Sequence, residues 1–153
     1  MSKRNKRFFA FLLVLYILAM LWLLLGQRIT PGTSIGFTAP TEDRINLEPF
    51  ATVKLYMDVL KYSKDRGLLI HSIINLVGNV VMFIPLGYLL PRLFRPMRCF
   101  LLLSVSTIVS IVLIEVLQLY TGLGSCDVDD LILNVIGVSI GYLLNLIWRI
   151  RTK

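Results

Sequence analysis

The sequence predicts an all-α, polytopic membrane protein with four transmembrane helices and one amphipathic helix on the outer membrane surface. Of its 153 residues, 56% are hydrophobic and only 16% are charged, and the mean hydropathy is +0.77. A soluble domain carries about a quarter charged residues, so a soluble enzyme or a disordered chain is excluded. The formal net charge of +7 does not indicate a nucleic-acid partner, because the basic residues lie in short clusters between apolar runs.

Four apolar stretches are each close to the length of about 20 residues that a helix needs to cross the bilayer core. They predict spans at about residues 8–25, 68–91, 99–120 and 131–148. We expect the first to remain as an anchor, because it is longer than the apolar region of a signal peptide and no A-x-A-like site follows. The spans form one membrane domain, residues 8–148, between an N-terminal segment, 1–7, and a tail, 149–153.

Lysine and arginine predict the orientation of this domain. Ten of them, with no acid, lie in the segments 3–7, 92–98 and 149–153, whereas the other side carries six basic and eight acidic residues. Because positively charged loops stay in the cytoplasm, both termini are predicted to be cytoplasmic. Cys99 and Cys126 then lie on opposite sides of the bilayer, too far apart for a disulfide, whose Cα atoms lie within about 7 Å.

The outer segment between the first two spans divides into a predicted loop, residues 26–44, and a predicted amphipathic helix, about 47–66. Pro49 suits a first helical turn and Gly67 a stop. The helix has an apolar and a polar face, made respectively of Leu47, Phe50, Val53, Met57 and Leu60, and of Lys54, Asp58, Lys61 and Asp65. Two interpretations stay open: a helix lying on the membrane surface, or a helix packed on the bundle.

Polar residues inside the spans are the strongest functional candidates, because such groups are costly in a bilayer and tend to be functional. They are His71, Asn75 and Asn79 in the second span, Glu115 and Gln118 in the third, and Asp127, Asp130 and Asn134 at and within the fourth. Helical spacing puts each set on one face, in the outer half of its span. We therefore expect one outward-opening polar pocket.

Structural interpretations stand beside this one. They are hydrogen bonding between helices for Asn79 and Asn145, an interfacial position for His71, and helix N-capping for Asp127 and Asp130. Asp129 points off the face of its neighbours and is expected to be solvated. Gly137 and Gly141 form a small-xxx-small pair, which predicts close approach of a neighbouring helix.

Catalysis is weakly indicated. Glu115 is a candidate general acid or base, and Asp127 and Asp130 are candidate oxygen ligands for a hard cation. Ser125, Cys126 and Thr121 have no evident activating base, and no phosphate-binding loop, zinc motif or serine-hydrolase motif occurs. We expect no cofactor.

Four ordered motifs carry a family resemblance: N-L-E-P-F at 46–50, N-x-x-G-N-x-x-x-F-x-P-x-G at 75–87, I-E-x-x-Q at 114–118, and D-V-D-D-L-I-L-N-V-I-G-x-x-I-G-Y at 127–142. With these motifs the chain resembles the VanZ-like family of small bacterial membrane proteins. The resemblance implies a multi-pass protein of the bacterial plasma membrane and an association with low-level teicoplanin resistance. It makes Asn46, Pro49 and Phe50 an outer motif, and it supplies no catalytic residues.

Three functions follow as hypotheses. The favoured one is a non-enzymatic envelope protein whose pocket binds a lipid-linked cell-wall component or alters glycopeptide access. The alternatives are an intramembrane enzyme acting on a lipid head group through Glu115 with Asp127 and Asp130, and a small transporter or proton pathway through Glu115. The expected partners are the lipid bilayer and a lipid-linked cell-wall precursor or glycopeptide, with no nucleic acid; oligomerisation stays open.

Overall fold

The computed structural model describes residues 2–24, 44–121 and 125–151. Within these ranges four helices are long and apolar enough to cross a membrane, which confirms the predicted fold class. The elements are α1 (Lys3–Leu24), β1 (Ile45–Asn46), α2 (Ala51–Tyr62), α3 (Arg66–Leu93), a 3₁₀ turn (Pro96–Arg98), α4 (Phe100–Tyr120), β2 (Cys126–Asp127) and α5 (Val128–Arg151). The predicted loop at 26–44 lies outside the described residues except for Arg44.

The predicted amphipathic helix is shorter at both ends: it begins at Ala51, so Pro49 lies in the turn before it and not in its first helical turn, and Gly67 does not end it. α2 stops at Tyr62, and Gly67 lies in the first turn of α3. The reason is Asp65, whose carboxylate accepts the N–H groups of Gly67 at 2.7 Å and Leu68 at 3.3 Å. Asp65 therefore caps α3, as acids at helix N-termini commonly do, and does not extend the polar face of α2.

α3 and α5 form the closest helix pair of the molecule. A Cβ atom added to Gly137 would overlap the carbonyl oxygen of Val80, and one added to Gly141 would overlap that of Ile84. The predicted close approach at these glycines is therefore confirmed. Asn145, 1% exposed, donates a hydrogen bond of 2.8 Å to the Tyr88 carbonyl of α3, so it links the helices as expected.

α1 and α4 pack on this pair and leave much apolar surface uncovered. The Tyr16 hydroxyl of α1 donates to the Met82 carbonyl of α3 at 3.0 Å. Outward-facing apolar side chains include Trp22, 63% exposed, and Leu101, 72% exposed. An apolar surface of this extent is a liability in water and is suited to lipid.

The two ends of the bundle differ in charge. We call the end that holds Asp65, Glu115 and residues 127–130 the acidic end, and the end that holds Arg92, Arg98 and Arg149 the basic end. At the acidic end the sequence had predicted no strand, yet β1 and β2 pair in parallel, with Ile45 opposite Cys126 and Asn46 opposite Asp127. This pairing joins the chain before α2 to the chain before α5.

Candidate functional site

Side chains reinforce the strand pairing at the acidic end. Asp127 accepts the Thr52 hydroxyl at 2.6 Å and the Asn46 amide at 3.4 Å. The Asn46 amide also donates to the Thr52 hydroxyl at 2.9 Å, and the Asp127 carboxylate accepts the main-chain N–H of Asp129 at 2.9 Å. The N-L-E-P-F motif is thereby fastened to the D-V-D-D motif, although the two lie far apart in the sequence.

Asp129 holds the start of α2, and the expectation that it is solvated is wrong. Its side chain is 0% exposed, and its two oxygens accept the N–H groups of Phe50 at 2.5 Å and Val53 at 2.9 Å. Phe50 stands at the N-cap position of α2, has a left-handed backbone with φ of 67°, and offers no capping oxygen. The Asp129 side chain points away from the face shared by Asp127 and Asp130 because it caps the N-terminus of α2. We call Asn46, Thr52, Asp127 and Asp129 the clamp.

Asp130 links α5 to α3 beneath α2. The Asn79 amide donates to the Asp130 carboxylate at 2.5 Å. Burial, and then the carboxylates of Asp130 and Asp127, raise the pKa of the Tyr56 hydroxyl of α2 above its usual range. Tyr56 therefore stays protonated and can donate a hydrogen bond. The His71 ring meets the Tyr56 ring at an edge, with centroids 5.7 Å apart, and His71 itself is exposed.

The C-terminal half of α4 approaches the same place through Glu115. Burial, and then the carboxylates of Glu115 and Asp127, raise the pKa of the Cys126 thiol. A thiol with a raised pKa is a poor nucleophile, because the thiolate is the reactive form. Gln118, one turn after Glu115, is 2% exposed. The cysteines Cys99 and Cys126 are both free.

Two further polar side chains belong to this set. Asn75 lies one turn before Asn79 in α3, and Asn134 lies one turn after Asp130 in α5. The side-chain oxygens of Asn75 and Asn134 are buried, and within the described residues they accept no hydrogen bond. A buried acceptor without a donor costs about 1–3 kcal/mol. These two oxygens are therefore suited to a ligand that brings N–H or O–H groups.

The structure thus brings some predicted residues into direct contact and leaves others apart. Asp130 with Asn79, and Asp127 with Asn46, are hydrogen-bonded pairs. Pro49 shapes the turn before α2 without a side-chain hydrogen bond of its own, since proline has no donor. His71 contacts Tyr56, and within the described ranges no hydrogen bond joins it to Asn75 or Asn79.

The clamp is poorly suited to a metal ion. Within the described part of the chain, no group of three or more His, Cys, Asp or Glu side chains is placed to hold one. The oxygens of Asp127 already accept the Thr52 hydroxyl and the Asp129 N–H, so binding a cation there would break those bonds. The carboxylates and amides are better matched to hydroxyl and amide groups, which both donate and accept.

Sequence reasoning missed Thr52, Tyr56 and the role of Asp129. The sequence carries no signal for this contact, because the helix predicted from about residue 47 follows Asn46, a favoured N-cap residue; the missing cap appears only with the start of α2 at Ala51. Asp127 ends β2 and Asp129 lies in the first turn of α5, so the change from strand to helix between them sends their carboxylates in different directions. No local pattern identifies which amides they meet.

The bundle also contains an apolar groove. It encloses about 400 Å³ between α1, α3 and α4 and is lined by side chains that include Met20, Phe83, Ile111 and Ile114. Ile114 precedes Glu115, so the groove reaches the depth of the acidic end. Its dimensions and apolar walls are suited to a hydrocarbon chain.

Comparison with known protein families gives one match: the family model described as VanZ/LLP1 matches residues 11–149. These residues contain all four helices of membrane-spanning length in whole or in large part, and the complete clamp. The chain matches no curated protein and no solved structure.

Proposed function

This chain belongs to the VanZ/LLP1 family, and from that premise we propose that it is a non-catalytic membrane protein of the bacterial envelope that binds a lipid-linked envelope component at its acidic end. The ligand's polar head group lies at the acidic end, among Asn75, Asn79, Glu115, Asp130 and Asn134. Its hydrocarbon chain follows the apolar groove. The sequence alone had favoured the same class of function.

The proposal includes an orientation. Ten basic residues and no acid belong to the basic end and its adjoining segments, so this end faces the cytoplasm. The acidic end and α2 then face outward, where lipid-linked cell-wall precursors are used and where glycopeptides such as teicoplanin act. Occupying or shielding such a precursor is a direct way to alter glycopeptide access.

The observation that carries the proposal is the pair of buried, unsatisfied amide oxygens on Asn75 and Asn134, next to a carboxylate that is held in place. The clamp fixes α2 over them, so the site is preorganised before a ligand arrives. Head groups that carry sugars and peptides are rich in the N–H and O–H donors that these oxygens lack.

Two features favour binding over catalysis. The Cys126 thiol, the nearest nucleophile, has a raised pKa, which keeps it as the less reactive thiol. The Asp127 carboxylate, which an enzyme would need as a cation ligand, is occupied in the clamp. Glu115 remains the residue most suited to sense a ligand, because it is the only acid within the predicted apolar spans.

Lipid mass spectrometry on the purified protein tests the proposal. We expect the wild type to retain a specific lipid-linked glycan or peptide, and Glu115→Gln to retain at least about tenfold less, since a hydrogen bond to a charged group contributes about 1.5–3 kcal/mol. Asp58→Asn is the matched control, because it removes one negative charge from an exposed position on α2.

Three results would contradict the proposal. They are an absence of any retained lipid, equal retention in Glu115→Gln, and chemical conversion of the retained lipid, the last of which would indicate an enzyme. Teicoplanin susceptibility, measured at matched protein levels, is the cellular readout. There we expect the wild type to lower susceptibility and Glu115→Gln to abolish the effect while insertion and expression stay intact.

A further inference from the structure

A second polar cavity lies at the opposite end of the bundle. It encloses about 490 Å³ between the first turns of α1 and the last turns of α3 and α5. We call it the basic pocket; its polar and aromatic lining comprises Asn5, Phe9, Arg92, Arg98, Trp148 and Arg149. Three arginines therefore line one cavity near the ends of helices long and apolar enough to cross a membrane.

Arg92 is the centre of the basic pocket. Its guanidinium lies 4.6 Å from the centroid of the Phe9 ring, 4.4 Å from that of Tyr88 and 5.2 Å from that of Trp148. Its Nε and one Nη are buried, and within residues 2–24, 44–121 and 125–151 they find no hydrogen-bond acceptor. Aromatic faces hold the group in position, but they leave its donors unsatisfied.

The chain supplies no counter-charge for this pocket. No Asp or Glu occurs in residues 1–41, 66–114 or 131–153, which include every segment that forms the basic end. A partly buried charge needs a partner or hydrogen bonds to offset its loss of hydration. No Asp or Glu of the basic end therefore offsets the positive charges of Arg92, Arg98 and Arg149.

We propose that the basic pocket binds the phosphate of an anionic phospholipid from the leaflet on that side of the membrane. Arginine presents a planar fork of donors that matches two phosphate oxygens, and basic pockets between transmembrane helices are suited to lipid head groups. The Arg98 Nε donates to the Pro91 carbonyl at 3.3 Å, which anchors this side chain at the rim. The site is separate from the acidic end and does not depend on the function proposed there.

Ordinary surface attraction is the competing explanation. Arginines near helix ends reach the interface in many membrane proteins, and any basic surface attracts anionic lipid. The two explanations differ in salt dependence, because salt screens exposed charges far more than partly buried ones. They differ also in residue dependence, since surface attraction treats Arg92 and the exposed Arg95 alike.

Trp148 makes the pocket observable in the full-length protein. Trp22 and Trp148 are the only tryptophans, so Trp22→Phe leaves a single fluorophore, in the pocket lining. This protein is reconstituted in phosphatidylcholine vesicles that contain phosphatidylglycerol brominated near the head group, and quenching of Trp148 is compared with that by brominated phosphatidylcholine. We expect an apparent preference for phosphatidylglycerol of about tenfold, retained at about 0.5 M salt.

Variants in this background test the residue assignment. We expect Arg92→Gln and Arg149→Gln each to reduce the preference about fivefold or more, Arg92→Lys to have an intermediate effect, and Arg95→Gln to leave it nearly unchanged. Equal losses in Arg92→Gln and Arg95→Gln, or a preference that salt removes, would overturn the proposal in favour of surface attraction. If inorganic phosphate perturbs Trp148 in pure phosphatidylcholine and phosphatidylglycerol does not, the lipid assignment is wrong and the pocket is a site for soluble phosphate.

Discussion

At the scale of single residues, Asp129 has the most clearly defined structural role, which is to cap the start of α2. Its carboxylate accepts two main-chain N–H groups from a segment about 80 positions earlier, and it is fully buried. Phe50 shares the task, because its left-handed backbone, with φ of 67°, belongs to the turn whose N–H groups point at Asp129. Such a conformation is uncommon for a bulky residue and persists only where the surroundings fix it.

Asp129→Asn is therefore expected to release the start of α2. An amide keeps one acceptor and sets an NH₂ group against a main-chain N–H, which should lower the free energy of unfolding by about 2 kcal/mol. Hydrogen exchange at residues 50–62 measures the local effect, and thermal unfolding in detergent measures the global one. Asp58→Asn, on the exposed face of α2, is the control and should change neither; protected amides in Asp129→Asn would contradict the anchoring role.

The sequence could predict which residues here are polar and deep, but not their partners. Glu115 and Asn134 attract attention from composition alone, because polar groups are rare in apolar runs. The direction of Asp129 depends on where the Phe50 and Val53 amides lie in space, and no helical wheel of residues 127–145 contains that information. The role of Asn145 was easier to predict, because a single amide at a helix–helix contact has few possible partners other than a carbonyl of the neighbouring helix.

At the scale of elements, the α3–α5 pair sets the geometry of both ends. The two backbones touch at Gly87, Gly137 and Gly141. Hydrogen bonds made by Asn79, toward the acidic end, and by Asn145, toward the basic end, fix the register of the two helices. Local composition was enough to predict a closely packed neighbour at Gly137 and Gly141, because small-xxx-small spacing favours close helix approach in membranes, but it did not identify α3 as that neighbour.

Gly141→Ala is expected to separate these helices. The new Cβ would overlap the Ile84 carbonyl, a main-chain atom that cannot turn aside, so we expect a loss of about 1–3 kcal/mol or more. Gly78→Ala is the matched control, because its Cβ would meet only the Ile74 side chain, at 3.9 Å. That variant should be neutral or gain about 0.5–1 kcal/mol through helix propensity. Thermal unfolding in one detergent compares the two, and equal effects would contradict the packing argument.

α2 combines the two interpretations that the sequence left open. Val53, Tyr56 and Leu60 are half-buried and the helix packs on α3, whereas Leu55 and Met57 remain 60% and 55% exposed. Lys54 and Asp58 form the polar face between Met57 and Leu55. The helix is thus packed on the bundle along one side and leaves apolar flanks exposed, which we predict to contact the membrane surface.

Spin labels scanned through residues 51–62 test this arrangement. We expect low accessibility to both water and lipid probes at positions 53, 56 and 60, access to water at 54, 58 and 61, and access to lipid-soluble oxygen at 55 and 57. A uniform profile would indicate a mobile segment, and high water accessibility at 55 and 57 would remove the membrane contact while leaving the packing on α3 intact.

At the scale of the whole molecule, the two ends of the bundle differ in charge, and this difference predicts the orientation in the membrane. Reporter fusions after Lys153 and within residues 92–98 should report cytoplasm, and a fusion within 122–130 should report the outside, because the first two regions are basic and the third is acidic. Added positive charge should change the orientation of the spans, so several lysines inserted within 122–130 should reduce the signal of an outside reporter fused there. An outside C-terminus would contradict the orientation on which the proposed function depends.

The pairing of β1 with β2 has a consequence for biosynthesis. Asn46 and Asp127 lie 81 positions apart, so a chain emerging from the ribosome exposes the N-L-E-P-F turn long before its partner exists. α2 therefore lacks its cap while α3 and α4 are synthesised and inserted. The clamp can form only after Asp127 and Asp129, at the start of α5, have been synthesised. Formation of the clamp thus indicates that α5, the last span, has been inserted. A nascent chain arrested before Val128 should leave residues 47–62 open to added protease, and the completed chain should protect them.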